Sequence, residues 1–162
     1  LPTSSSTAAV TPKPTATTID VSKLKACDPE LMEVTPLVDG VGAQAYGSSA
    51  KPALSFTIKY TGFTECFYNV GTNSQVFTIT SGAETYWKST DCQTGAAETL
   101  AIFKPGQSET SAPFAWNRTI SPSRDGGTCD AKSPAVPKPA SYNLRVSVGS
   151  ANSASTAQMI LN

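Results

Sequence analysis

Residues 53–61, ALSFTIKYT, alternate without a break. Leu54, Phe56, Ile58 and Tyr60 are apolar or aromatic, and Ser55, Thr57, Lys59 and Thr61 lie between them. A period of two places one set on a buried face and the other toward water, as in a half-buried strand. Residues 141–149, SYNLRVSVG, repeat the pattern, with Tyr142, Leu144, Val146 and Val148 inward and Asn143, Arg145 and Ser147 outward. QVFTIT at 75–80 puts Phe77 and Ile79 on one face. Weaker strand signals lie in LMEVTPLVDG (31–40), AQAYGSSAK (43–51), GFTECFYNVG (62–71), TYWKS (85–89), ETLAIFK (98–104), SAPFAWNRTI (111–120) and STAQMILN (155–162). Ser81-Gly82 and Pro105-Gly106 punctuate as turns. About nine short strands at this spacing predict a sandwich or barrel. No stretch sustains a helical period. One helical turn is expected at DPELMEV, where Asp28 can cap and Pro29 suits the first helical position.

Two segments break the strand pattern. Residues 1–25 open as LPTSSSTAAVTPKPTATTIDVS, Ser/Thr/Pro/Ala with little to bury. Such a segment does not offset the entropy of ordering and is expected to be a disordered stalk, with the sandwich domain spanning 26–162. Alternatively, TATTIDVSKL supplies a first edge strand. The second segment, residues 121–140, is a long connection with four prolines and Gly126-Gly127. Loops of that length in compact domains tend to carry function.

Composition narrows the class. Charged residues are 15 % of the chain, against roughly 25 % in an ordinary domain. Lys plus Arg equals Asp plus Glu at 12 each, so the net charge is zero. No basic run is present to displace counterions from nucleic acid or to hold an anionic membrane. There is no histidine, which excludes Ser-His-Asp and Cys-His catalysis, His-ligated zinc and a histidine pH switch.

Cys27, Cys66, Cys92 and Cys129 are even in number, widely spaced and free of any CxxC pair. They predict two disulfides in an oxidising compartment. Three pairings exist. Cys27–Cys66 with Cys92–Cys129 is favoured, because it closes two successive loops, each contributing roughly 3–4 kcal/mol by loop entropy. The chain opens at Leu1 with no apolar export run. An extracellular or cell-envelope location is expected, with a tether or export signal upstream and contact with a membrane only through that tether.

ETYWKSTDC, residues 84–92, places Ser89 and Thr90 beside Lys88 and Asp91. A Ser89 or Thr90 nucleophile with Lys88 as base needs a depressed lysine pKa and an oxyanion hole, yet neighbours on a strand point to opposite faces. The expected role is scaffold: Trp87 packs against the opposite sheet and Cys92 anchors the strand end. Glu84, Asp91, Glu98 and Glu109 sit on separate elements, with nothing to pair them for glycoside hydrolysis. Asp28, Glu30 and Glu33 read as solvated surface rather than a calcium site. Asn117-Arg118-Thr119 matches a glycosylation sequon. No catalytic residue, metal or cofactor is assigned.

The order LSFTIKYTG, VFTITSG, YWKS, LAIFKPGQS, FAWNRT, YNLRVSVG resembles the BsuPI-like proteinase-inhibitor family of bacilli, which has an immunoglobulin-like fold. The matching residues are Trp87, Pro105, Gly106, Trp116 and Tyr142, and the likeness spans about residues 52–150. ACDPEL at 26–31 and TSGAETYWKSTDC at 80–92 are also similar to secreted actinobacterial surface proteins that carry a Ser/Thr/Pro stalk. The resemblance implies an all-β, antiparallel immunoglobulin-like β-sandwich. The function expected is a non-catalytic extracytoplasmic module binding a protein or cell-envelope component. The alternative is a protease inhibitor acting through the 121–140 loop, with Arg124 or Lys132 entering a trypsin-like pocket. In either case the candidate contacts are Arg124, Asp125, Gly126, Gly127 and Lys132, since conformationally special loop residues often carry contacts.

Overall fold

A computed structural model describes residues 20–162. Along the chain run β1 (Lys25–Ala26), β2 (Met32–Val38), β3 (Ala43–Tyr46), β4 (Ala53–Tyr60), β5 (Cys66–Asn69), β6 (Gln75–Ser81) and β7 (Glu84–Lys88). Then follow β8 (Leu100–Phe103), β9 (Ser108–Thr110), β10 (Phe114–Ala115), β11 (Ala140–Val148), β12 (Ala151–Asn152) and β13 (Ala157–Leu161). The expected all-β sandwich is the observed architecture. Strands β1, β9 and β12 lie outside the expected segments and are two or three residues long, too short to show a period, while the expected strand at 111–120 is observed as Phe114–Ala115. Residues 1–19 of the expected stalk lie outside the described residues. Among the described residues the first strand, β1, starts at Lys25, one residue past TATTIDVSKL, and residues 15–19 of that stretch lie outside the described residues.

Two sheets face each other. In the first, β4 pairs with β2 on one side and with β9 and β10 on the other, all antiparallel. The second has the order β3-β13-β11-β6-β7, with β12 folded back onto β11. Strand β2 packs against β11, β12 and β13 across the interface. The alternating residues meet there: Leu54, Phe56, Ile58 and Tyr60 from β4 oppose Phe77, Ile79, Tyr142, Leu144, Val146 and Val148, all buried. Phe56 and Phe77 touch between the sheets with ring centroids 5.8 Å apart. Trp116 is 1 % exposed, and its indole nitrogen donates to Thr119 O at 3.2 Å. Burying that ring with its N–H satisfied contributes about 3 kcal/mol.

A third small sheet, β1-β5-β8, flanks the sandwich. Tyr68 of β5 ties it to the larger sheet by donating its hydroxyl to Val148 O at 2.5 Å. Two pairings depart from the antiparallel rule: β1 runs parallel to β5, and β3 parallel to β13.

Strand β2 contains Pro36, which a central strand would not tolerate. Here β2 is the edge of its sheet. Pro36 opposes Phe56, whose own N–H and carbonyl bond Ser111 on the far side of β4. The missing N–H of Pro36 therefore points outward, where it blunts an exposed edge rather than costing a ladder bond. Just before β2, Pro29–Leu31 form the expected helical turn, of 3-10 type, with Asp28 Oδ1 accepting from Glu30 N at 2.9 Å.

The disulfides are Cys27–Cys66 and Cys92–Cys129. The first is buried; the second lies at the surface.

Candidate functional site

The segment 121–139 does not stand away from the domain. Ser121 is buried and bridges to β7 twice: its N–H donates to Tyr86 O at 3.0 Å, and its hydroxyl accepts from Lys88 N at 3.0 Å. That hydroxyl donates in turn to Asp91 Oδ2. The Asp91 carboxylate also accepts from Ser123 N at 2.8 Å and Ser123 Oγ at 2.6 Å. Burial pushes the Asp91 carboxyl up, but the Ser121 and Ser123 donors outweigh it and hold the group below the ordinary carboxylate range. The Cys92–Cys129 bridge fastens the same segment one residue further along.

The candidate contact residues divide between inward and outward roles. Arg124 forms an ion pair with Glu84 and stacks its guanidinium 4.2 Å from the Tyr86 ring centroid. Gly127 has no room for a side chain, since a Cβ there would lie 2.0 Å from Ser121 O. Gly126 has a left-handed φ of 87° and open space around it. Asp125 and Lys132 are exposed. Lys132 sits in a tight turn, where Asp130 Oδ1 accepts from its backbone N at 2.9 Å and Asp130 O accepts from Ser133 N at 3.1 Å.

The strip that ends at Cys92 is tied into the fold. Trp87 is half-buried against Trp116 and Phe114, at centroid distances of 6.3 and 6.2 Å. Ser89 Oγ accepts from Phe77 N at 2.9 Å. Glu84, Asp91 and Glu109 have separate partners: Glu84 meets Arg124, Asp91 meets the two serines, and Glu109 accepts from Gln107 Nε2 at 2.7 Å. Among the described residues, no group of three His, Cys, Asp or Glu side chains could hold a metal ion.

Two residues were not singled out by their sequence context. Arg118 is 8 % exposed, with a left-handed φ of 62°. Its guanidinium donates to Gly47 O at 2.6 Å, Ala50 O at 2.9 Å and the main-chain oxygen of Asn162 at 2.8 Å. The sequon drew attention to Asn117 and hid the residue beside it.

The other is Phe63, 95 % exposed at the tip between β4 and β5. That tip is rigid. Tyr60 is buried, and its hydroxyl donates to Thr64 O at 2.7 Å. Its ring lies so close to Gly62 that a Cβ there would stand 2.2 Å from the hydroxyl. Leu31 O accepts from both Thr61 N at 2.8 Å and Thr61 Oγ1 at 2.9 Å. Cys66, bonded to Cys27, closes the tip. Leu31, itself 38 % exposed, is thereby held to the same turn. The sequence signal was an aromatic between Gly and Thr, outside any alternating run.

The tip follows the C-terminal end of β4, whereas Trp116 N bonds Pro52 O just before its start. Phe63 and the Trp116–Arg118 corner thus occupy opposite ends of that strand. No protein-family model matches the chain, and no curated protein matches it in sequence.

Proposed function

We propose that this domain is a non-catalytic extracytoplasmic binding module, at a cell surface or secreted, that engages a protein or cell-envelope component. The observation that carries this reading is Phe63. A fully exposed aromatic costs solubility, and here hydrogen bonds, a close-packed tyrosine and a disulfide hold it outward. An aromatic fixed before contact loses little entropy on binding, which is how interface anchors work. The two disulfides are consistent with an extracellular setting.

The test compares the wild-type domain with Phe63→Ser and Lys132→Ala for binding to isolated cell envelopes of the source organism. An interface anchor contributes about 2 kcal/mol or more, so Phe63→Ser should weaken binding roughly 30-fold with thermal stability unchanged. Equal binding by Phe63→Ser and wild type would remove the basis of the proposal. Trypsin inhibition that is lost in Lys132→Ala would instead favour an inhibitor acting through residues 121–140.

A further inference from the structure

Two sheet edges of this domain are closed. Pro36 blunts β2, and Ser121 covers β7 by bonding Tyr86 O and Lys88 N. Strand β8, the last of the third sheet, is open. Its pairing with β5 fixes where its backbone groups point. Val70 N donates to Thr99 O at 2.8 Å, and the ladder continues through Tyr68 opposite Ala101 and Cys66 opposite Phe103. Hydrogen-bonded pairs alternate in an antiparallel ladder, so Thr99, Ala101 and Phe103 direct their N–H and C=O groups at β5. Phe67, opposite Ile102, agrees with this alternation: its carbonyl turns the other way and accepts from Cys27 N at 2.8 Å. The N–H and C=O groups of Leu100 and Ile102 therefore point away from β5, and among the described residues nothing bonds them.

The side chains follow the same period. Phe103 is buried and Ala101 packs against the core, so Leu100 and Ile102 face outward beside Phe67, all three half-buried. Leu100–Phe103 contains neither proline nor charge, the devices that usually protect an edge. Charge stands only at the flanks, in Glu98 and Lys104, both exposed. The two are equidistant from Ala101 along the chain and opposite in sign.

Such a strand is complementary to itself. When two copies of β8 run antiparallel about a two-fold axis at Ala101, Leu100 of each opposes Ile102 of the other. Both are hydrogen-bonded pairs, because the open groups belong to these residues, and the two pairs supply four N–H···O bonds. Ala101 opposes its own copy in the narrow pair between them, where Cα atoms approach to about 4.5 Å and a small side chain fits. Glu98 of each copy meets Lys104 of the other. Leu100 and Ile102 bury their exposed sides against their counterparts. Moving the register by two residues instead opposes Glu98 to Ile102 or Lys104 to Leu100, and in-register parallel pairing opposes Glu98 to Glu98. Charge thus selects one arrangement.

We infer that this domain forms a two-fold dimer through β8, with a second copy of the chain as the partner. The two third sheets join into one six-stranded sheet of order β1-β5-β8-β8-β5-β1. This surface is separate from Phe63 and does not rest on its role.

The test is sedimentation velocity of the intact chain over a concentration series, with amide exchange read by NMR at both ends of the series. A monomer–dimer equilibrium should appear. The Leu100 and Ile102 amides should gain protection as dimer forms, whereas Ala101 and Phe103, bonded to β5, should be protected throughout. Glu98→Lys places like charges at both symmetric contacts and should weaken the dimer roughly tenfold. Lys104→Glu should do the same, and the double variant Glu98→Lys/Lys104→Glu should restore wild-type affinity. Both positions are exposed, so these changes leave the fold intact. Ile102→Pro removes an outward N–H, as Pro36 does in β2, and should leave a folded monomer. A monomer at every concentration, Leu100 and Ile102 amides whose protection does not change with concentration, or a double variant no tighter than the single ones would each overturn the inference.

Discussion

Arg118 offers a sharp test of the packing argument. Its guanidinium holds the 47–50 turn and the last residue of the chain to the corner that follows Trp116. Three charge-assisted hydrogen bonds contribute about 1.5–3 kcal/mol each when lost singly. Gly47 and Ala50 lie at the surface, so water recovers part of that loss once the side chain is shortened. Arg118→Ala should therefore cost about 3–5 kcal/mol. The backbone supplies a second, independent sign. At φ 62° a Cβ is strained, and glycine relieves it. Arg118→Gly loses the same hydrogen bonds yet should be more stable than Arg118→Ala by about 1 kcal/mol, the reverse of the usual order of the two residues. Urea unfolding reads both, since at roughly 2 kcal/mol per molar the alanine variant should lower the midpoint by about 2 M. A loss below about 1 kcal/mol in Arg118→Ala, or a glycine variant less stable than the alanine one, would refute the reasoning.

Two further outcomes are expected. Asp91→Asn should destabilise by about 1–3 kcal/mol and speed deuterium exchange at residues 121–127, because the amide cannot accept all three serine-derived bonds. Since the folded-state pKa of Asp91 is depressed, its contribution is present above the unfolded carboxyl value and fades as pH falls through the folded one; an acid titration of stability that Asp91→Asn leaves unchanged in shape would contradict this. At the alkaline end, burial and the neighbouring Tyr86 push Tyr142 up to about 12, and burial also raises Tyr46 and Tyr68. Stability from these groups is full below about pH 10 and is lost as pH rises through the folded values, so tyrosinate absorbance should lag behind that of the unfolded chain and then rise with unfolding.

The elements legible in the sequence are those that bury one face over many residues. Strands β4 and β11 declare themselves because each inward residue is apolar and nearly each outward one polar. Their partners are less plain. Strand β2 carries a proline that only its edge position explains, and that position is fixed by pairing with β4. The parallel strands β1 and β3 are two and four residues long, and exposed residues dominate both. The disulfide pairing followed from loop order alone. In the 121–139 segment, length and prolines mark a special loop, but its inward fold depends on Glu84, Tyr86 and Asp91, some 30 to 40 residues away. No local pattern records such contacts. Phe63 was obscure for the opposite reason, since it touches too little to take part in any periodicity.

The placement of Cys27 beside a two-residue strand determines how the domain bears tension. Among the described residues, a pull from the N-terminal side peels Lys25 and Ala26 from β5 before it reaches the Cys27–Cys66 bond. From there the load passes covalently to Cys66 and bypasses β2, β3 and β4. The second bridge bypasses most of the chain between Cys92 and Cys129 in the same way. Sequence separations of 39 and 37 residues are thus withheld from stretching, each about 130 Å of extended chain. Stretched end to end, the domain would lengthen far less than its residue count implies, and the Phe63 tip would remain attached beside the covalent link that carries the force.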